Sequence, residues 1–354
     1  ESSLNARGYT LGHFPQSFEQ STLGGWLATR SCGQQSALYG RIEDMVHDIH
    51  IQTPVGSYTV HAFPKSAAGP DLSHVILGSE GRAGIITQAS MIIHPLPEYE
   101  AFYGYFFREW ENGLEAVREI TQKKIPVSML RLSDPEETKI TLLLSGKEKL
   151  LHWADRGLRW LNYKKHRCLL IAGFSEQTYM SYKTNQKWAS SVIRQHGGIN
   201  TGKFIGHQWV KNRFTTPYLR NTLWENGYAI DTLETALEWS MITSAVIEIK
   251  QSITEALGAY NQRVLVLSHI SHVYSGGASL YFTCIFPRTA APDETLEYWR
   301  TMKKAASIKI ITLGGTISHQ HGVGLDHREF LQAEKGEIGL DVISAVIDLS
   351  LIHI

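Results

Sequence analysis

At 354 residues the chain is longer than one hydrophobic core usually fills, so at least two domains are expected. Its 34 basic side chains balance 34 acidic ones, which removes the basic footprint of a nucleic-acid binder, and 43% hydrophobic with 19% charged residues suit a globular enzyme. No apolar run reaches the ~18 residues of a membrane span, and Cys32, Cys168 and Cys284 have neither disulfide-framework nor metal-ligand spacing.

The opening Glu-Ser-Ser-Leu-Asn-Ala-Arg does not read as a signal sequence, so the expectation is a soluble protein in a reducing compartment, cytoplasmic or peripheral to a membrane. From His13 to Gly40 the chain is dense in Ser, Thr and Gly, offering amides and hydroxyls to a polar ligand such as a phosphate chain, while Leu23, Trp26 and Leu27 indicate packing. Met45–Ile51 and Tyr58–Phe63 around Thr53-Pro54-Val55-Gly56 predict a β-hairpin. A short helix over Asp71–Leu77 stops at Gly78, and a tight Gly78–Gly84 turn then feeds a strand through Ile93.

Pro95-Leu-Pro97 marks a domain boundary. Beyond it, strands are predicted at Tyr99–Phe107, Ile140–Leu144, His166–Phe174, Arg263–His269 and Ala278–Phe286. Helices are predicted at Asn112–Lys123, Lys147–Leu161, Gln177–His196, Thr232–Leu257 and Asp293–Ile308 from recurring apolar faces. The mixture predicts an α+β fold rather than a regular strand-helix alternation. Within Ala278–Phe286 the period of two puts Ser279, Tyr281 and Thr283 on the polar face and Leu280, Phe282 and Cys284 on the apolar one.

Gly314–Gly324, Gly-Gly-Thr-Ile-Ser-His-Gln-His-Gly-Val-Gly, is the most site-like stretch: His319 and His321 lie between two pairs of glycines that let the backbone turn tightly near a ligand. By residue type alone, a strand tyrosine such as Tyr281 is more often a core or interface aromatic with a bonded hydroxyl than a catalyst, and Arg220 reads as a surface or salt-bridged arginine.

Taken in order, Ser17–Trp26, Tyr39–Asp44, Gly69–Asp71, Gly78–Gly81 with Gly84–Thr87, Pro217–Arg220, Glu234-Thr235, Ala278–Phe282 and Ser318–Gly324 resemble the vanillyl-alcohol-oxidase (PCMH-type) flavoprotein superfamily and its alkylglycerone-phosphate synthase branch. The resemblance implies FAD as cofactor. It also implies three segments: 1–97 as the C-terminal half of a PCMH-type FAD-binding domain, 98–310 as a substrate-binding cap of antiparallel sheet and flanking helices, and 311–354 as the return to the flavin. It carries FAD contacts onto Ser21, Thr22, Gly24, Gly25, Trp26, Glu80, Gly81 and Ile86, a catalytic tyrosine onto Tyr281, a phosphate-binding arginine onto Arg220, and a histidine cluster onto His319 and His321. A fixed guanidinium suits bidentate oxyanion binding, and imidazoles move protons near neutral pH. The implied reaction has no net redox change: the acyl group of acyl-dihydroxyacetone phosphate is exchanged for a fatty alcohol through a flavin N5 adduct, with the C1 proton served by Tyr281. The implied partner is a small phosphate or carboxylate substrate, lipid-like in the synthase branch, and a homodimer is compatible with it.

Several residues depart from the branch. Gln320 stands in the middle of what would be three histidines, Arg82 and Ala83 replace a small hydroxyl and a leucine, Trp209 and Arg213 accompany Arg220, and Leu325-Asp326-His327 follows Gly324. An FAD-linked oxidase or dehydrogenase of a D-2-hydroxy acid is the alternative, with Arg220 on a carboxylate and His321 taking the hydroxyl proton; an inactive flavin-binding homologue is the third. The hydroxy-acid branch carries a His-rich metal motif with Gly-Asp-Gly-Asn, where this chain reads Ser268-His-Ile-Ser-His-Val-Tyr-Ser-Gly-Gly. His269 and His272 are too few for a zinc site and fall on opposite strand faces unless the chain bends, so no metal is expected. The resemblance further implies that an N-terminal flavin-binding half precedes Glu1, that Leu349–Ile354 departs from the family's close, and that this stretch alone binds FAD weakly and is inactive.

Overall fold

Period-two patterning decides much of the architecture, which a computed structural model describes for residues 1–61, 63, 66–144, 163 and 166–350. The chain divides into one unit of Glu1–Leu96 with Ile317–Ile354 and another of Pro97–Thr316.

In the first unit β1 (Tyr9–Thr10) is a short outer strand, and β2 (Val46–Thr53) and β3 (Gly56–Val60) form the expected hairpin. Thr53 Oγ1 donates to the Gly56 carbonyl at 2.8 Å to close its turn. β4 (Ile85–Met91) pairs with the other edge of β2, and β5 (His94–Pro95) pairs with β1. Alternate side chains of β2, Ile49 and Ile51, are buried with Leu27, Ile42, Met45, Ile76 and Leu77 in the unit's core. The Asp71–Leu77 helix contracts to Ser73–Ile76, where the Asp71 carboxylate accepts from the Ser73 amide at 2.8 Å.

The second unit is an antiparallel sheet with helices. Its strands are β6 (Tyr99–Phe107), β7 (Met129–Ser133), β8 (Cys168–Glu176), β9 (Ile199–Asn200), β10 (Tyr228–Glu238), β11 (Leu265–Tyr274) and β12 (Gly277–Pro287), ordered β10-β12-β11-β7-β8-β6-β9. On one face Leu130, Leu132, Leu170, Leu233, Ile270, Leu280 and Phe282 join residues of the Trp110–Gln122, Tyr179–Gln195, Ile242–Gly258 and Pro292–Thr312 helices in the main core. Full burial of side chains such as Leu280 and Phe282 stabilises by about 1.5–3 kcal/mol each. Phe102, Phe106, Met129, Leu169 and Ile171 form a second cluster, packed by Ile205 and Trp209 of the Phe204–Asn212 helix. The fold is mixed α+β.

Two expectations fail. Ile140–Leu144 is the end of a helix, Pro135–Leu144, because Asp134 accepts from the Glu137 amide at 2.7 Å and Pro135 opens the first turn, a start signal that outweighs the apolar run. Thr232–Leu257 is not one helix: residues to Glu238 belong to β10, paired from Tyr228↔Pro287 to Glu238↔Gly277, and the helix begins at Ile242 after the Trp239–Met241 turn. The period changes from 2 to 3.6 at this junction, and the apolar residues on its two sides together imitate one helical face. The predicted Lys147–Leu161 helix lies outside the described residues.

Candidate functional site

In the first unit the Ser/Thr/Gly stretch is built around Trp26. Its indole Nε1 donates to Ser21 Oγ at 2.6 Å, and that hydroxyl donates to the Ser17 carbonyl at 2.7 Å. Phe18 stacks on Trp26 with centroids 5.8 Å apart, and His13 tilts against it at 4.9 Å. Thr22 caps the Leu23–Thr29 helix, accepting from the Gly25 amide at 3.2 Å. Ser21, Thr22 and Trp26 therefore shape the loop through their mutual bonds, leaving Gly24 and Gly25 as bare backbone at the first helical turn. His13 is fully buried with Nε2 3.1 Å from Ser31 Oγ, and burial pushes its pKa down to about 4, so its ring stays neutral at pH 7.

The Gly78–Gly84 turn is joined to the His-Gln-His segment within the same unit. Glu80 has a left-handed backbone, φ 54°, and its carboxylate accepts from the Val323 amide at 2.6 Å and the Gly324 amide at 2.8 Å. Gly322, at φ 84°, faces that carboxylate so closely that an added Cβ would lie 3.2 Å from it. Arg41 donates to His319 Nε2 at 2.9 Å and to the His319 carbonyl at 3.0 Å, which assigns the ring proton to Nδ1. Gln320 Oε1 accepts from the Cys32 amide at 3.0 Å. Thus His319 and Gln320 are anchored, and His321 is the exposed member of the three.

The donor set of this unit fits a polar, phosphate-bearing group such as FAD. Gly24, Gly25 and Gly81 present backbone without side chains, nothing lies within 4 Å of a Cβ added at Gly81, and the Thr22 hydroxyl lies beside Gly25. Ile86 is half-buried on β4. Glu80 uses its two carboxylate oxygens on the 323–324 backbone, so its visible role is to order that loop.

In the second unit Tyr281 stands on β12 with its neighbours in register, Glu234 of β10 on one side and His269 of β11 on the other. The His269 and Tyr281 rings stack with centroids 5.1 Å apart and planes 23° apart. His269 Nδ1 is 2.9 Å from Glu137 Oε2, and the other oxygen of Glu137 accepts from Arg131 at 2.6 Å. Burial pushes the Tyr281 phenol up to about 12, against a hydrogen bond with Thr232. Burial opposes ionisation of Glu137, yet His269 and Arg131 outweigh it and hold the carboxyl down to about 2. Burial, reinforced by Arg131, lowers the His269 pKa.

Sequence reasoning had placed Tyr281 on the polar face, but it missed Arg131 and Glu137 and weighed His269 only as a metal ligand. A β-bulge between Ile270 and Val273 separates His269 from His272, and among the described residues no group of three His, Cys, Asp or Glu side chains could hold a metal. Arg220 lies exposed on the Leu219–Glu225 helix, with no ion pair to it among the described residues. Arg213 is partly buried, with its guanidinium 4.8 Å from the Phe214 ring centroid.

The sequence profile of the FAD linked oxidases, C-terminal domain, matches residues 96–348, and that of a FAD binding domain matches residues 1–60. Alkyldihydroxyacetonephosphate synthase of Dictyostelium discoideum is 32% identical over 336 residues, covering 92% of this chain and 54% of that protein. The Caenorhabditis elegans protein of the same name is 28% identical, covering 98% and 60%. The uncharacterized FAD-linked oxidoreductase YgcU of Escherichia coli (strain K12) is 29% identical, covering 95% and 67%. A solved structure of alkyldihydroxyacetonephosphate synthase matches with a TM-score of 0.78 at 29% identity, over 99% of this chain and 60% of that one. The chain spans about half to three-fifths of the length of these synthases.

Proposed function

The chain belongs to the FAD-linked oxidase family through its C-terminal domain, and from that premise we propose that it works in an alkylglycerone-phosphate synthase reaction, replacing the acyl group of acyl-dihydroxyacetone phosphate with a fatty alcohol. The observation that carries this reading is the match to alkyldihydroxyacetonephosphate synthase in sequence and in structure along 99% of the chain. The 98–310 segment is read as the substrate cap, with 1–97 and 311–354 serving the flavin.

FAD, when bound, supplies the reactive nitrogen chemistry and the reaction needs no external oxidant. Gly24 and Gly81 offer amides to it, Gly25 an approach free of any side chain, Ser21 and Thr22 hydroxyls, and Trp26 and Ile86 apolar surface, while Glu80 orders the loop that carries His321. Arg220 binds the substrate phosphate with its planar fork, a geometry that lysine lacks. Tyr281 handles the proton at C1. Its phenol, pushed up to about 12, stays protonated at neutral pH, so it takes the C1 proton only after a base has removed its own. His321 is an exposed imidazole of the kind that exchanges protons with solvent, and His319, held by Arg41, sets the loop.

Tyr281→Phe tests the role assigned here. In FAD-loaded protein, exchange should fall at least about 100-fold, the range of general acid–base catalysis, with FAD still bound. Turnover within a few-fold of wild type would remove Tyr281 from the chemistry.

A further inference from the structure

His269 is a buried imidazole that the reading above leaves without a task. Three contacts define it. Its ring lies on the Tyr281 ring, 5.1 Å between centroids. Its Nδ1 faces Glu137 Oε2 at 2.9 Å, and Arg131 approaches the same nitrogen at 3.3 Å. Arg131 has only donors to offer, and its nearer partner is Glu137 Oε1 at 2.6 Å, so the shorter Glu137 contact decides the tautomer: Nδ1 carries the proton and donates to the carboxylate. The imidazole is thereby fixed about its Cβ–Cγ axis by an ionised, buried carboxylate that is itself fixed by a guanidinium.

We propose that His269 is a positioning residue for Tyr281, its stacked ring setting the plane in which the phenol is held on the sheet face, with the Glu137 bond as a second restraint on that ring. This rests on reading Tyr281 as the proton-handling group. The cross-strand register makes the arrangement specific, since His269 and Tyr281 are directly opposite on β11 and β12 and Glu234 is directly opposite Tyr281 on β10. The charged and titratable groups facing His269 are Arg131 of β7, Glu137 of the Pro135–Leu144 helix, Tyr281 of β12 and Glu234 of β10. An unfixed ring would let the phenol sample off-geometry orientations, and displacement by about 1 Å costs as much as 100-fold in rate.

Two variants separate the stack from the hydrogen bond. His269→Phe keeps a flat ring on Tyr281 and loses the donor to Glu137; His269→Gln keeps a donor and loses the ring. With tyrosine Cζ labelled by carbon-13 and the Tyr281 resonance assigned by Tyr281→Phe, the phenol titration of His269→Gln should fall by about one unit as water enters, whereas His269→Phe should stay within about 0.3 unit of wild type. In FAD-loaded protein, kcat of His269→Gln should drop roughly 30-fold with KM within 3-fold, and His269→Phe should recover several-fold of that loss. The proposal is overturned if His269→Gln leaves both the titration and kcat unchanged, or if His269→Phe is no better than His269→Gln in both. The carbon-13 titration needs neither FAD nor turnover. A shifted Tyr281 resonance together with an active Tyr281→Phe enzyme would therefore uphold the positioning contact while sinking the catalytic reading of Tyr281.

Discussion

Glu80→Ala should release the Val323–Gly324 end of the His-Gln-His loop without altering the turn that carries residue 80. The carboxylate holds two amides, Val323 at 2.6 Å and Gly324 at 2.8 Å, across 243 and 244 residues of sequence. Hydrogen bonds to a charged group contribute about 1.5–3 kcal/mol each when buried. Here Glu80 and Val323 are half-buried and Gly324 exposed, so water can replace part of what is lost and about 1 kcal/mol per bond is a fairer figure. Two bonds give roughly 2 kcal/mol, a factor of about 30 in the opening equilibrium of the loop. Alanine keeps the Cβ, so the left-handed backbone at φ 54° costs the same in both proteins and the carboxylate alone is tested. Amide hydrogen exchange reads this directly: protection at Val323 and Gly324 should fall about 30-fold, while the Ile49 and Ile51 amides of β2 keep theirs. Unchanged exchange at both positions would refute the clamp.

Acid should act on each unit through a separate group. The pKa of His13 is depressed from 6.5 to about 4, so the unfolded chain takes up its proton first; the stability is complete above pH 6.5 and is lost between pH 6.5 and 4, on the order of 3 kcal/mol. His13→Gln should flatten that slope in a pH series of denaturant melts of the first unit, and a slope that persists would show that another group carries it. Glu137, depressed from 4.5 to about 2, contributes stability that is present above pH 4.5 and is lost between pH 4.5 and 2; Glu137→Gln should remove that lower limb from the second unit's acid titration. Asp134→Ala should destabilise the second unit by about 2–3 kcal/mol, since it leaves the buried Ser268 and Glu137 amides without their acceptor and takes the nearer carboxylate from Lys250, which keeps Glu136 at 3.0 Å. A chemical-denaturation midpoint indistinguishable from wild type would contradict it.

Local patterns in the sequence carried the hairpin of β2 and β3, the bounds of β6, and the polar face of Tyr281, because each is set by side-chain alternation within a few residues. The β10 strand was hidden because its residues run without a break into a helical period after Met241, and β7 because five residues, Met129–Ser133, carry too little periodicity to separate from a loop. The site was legible as residue types and illegible as contacts. Glu80 looked like a ligand contact by its place in Gly-Ser-Glu-Gly, and only the fold brings it to Val323. His269 lies opposite Tyr281 only through the β11–β12 register, which a Gly-Gly turn does not specify from sequence. Asp134, Pro135 and the two glutamates after it were a readable helix start that the apolar Ile140–Leu144 run obscured.

The most direct test of the proposed activity is to give FAD-loaded protein acyl-dihydroxyacetone phosphate with a fatty alcohol, and separately a panel of D-2-hydroxy acids without oxygen while flavin absorbance is followed. The account predicts release of fatty acid matched by formation of the alkyl ether, with the flavin unbleached by any hydroxy acid. Bleaching by a hydroxy acid with no ether formed would contradict it and make the protein a dehydrogenase.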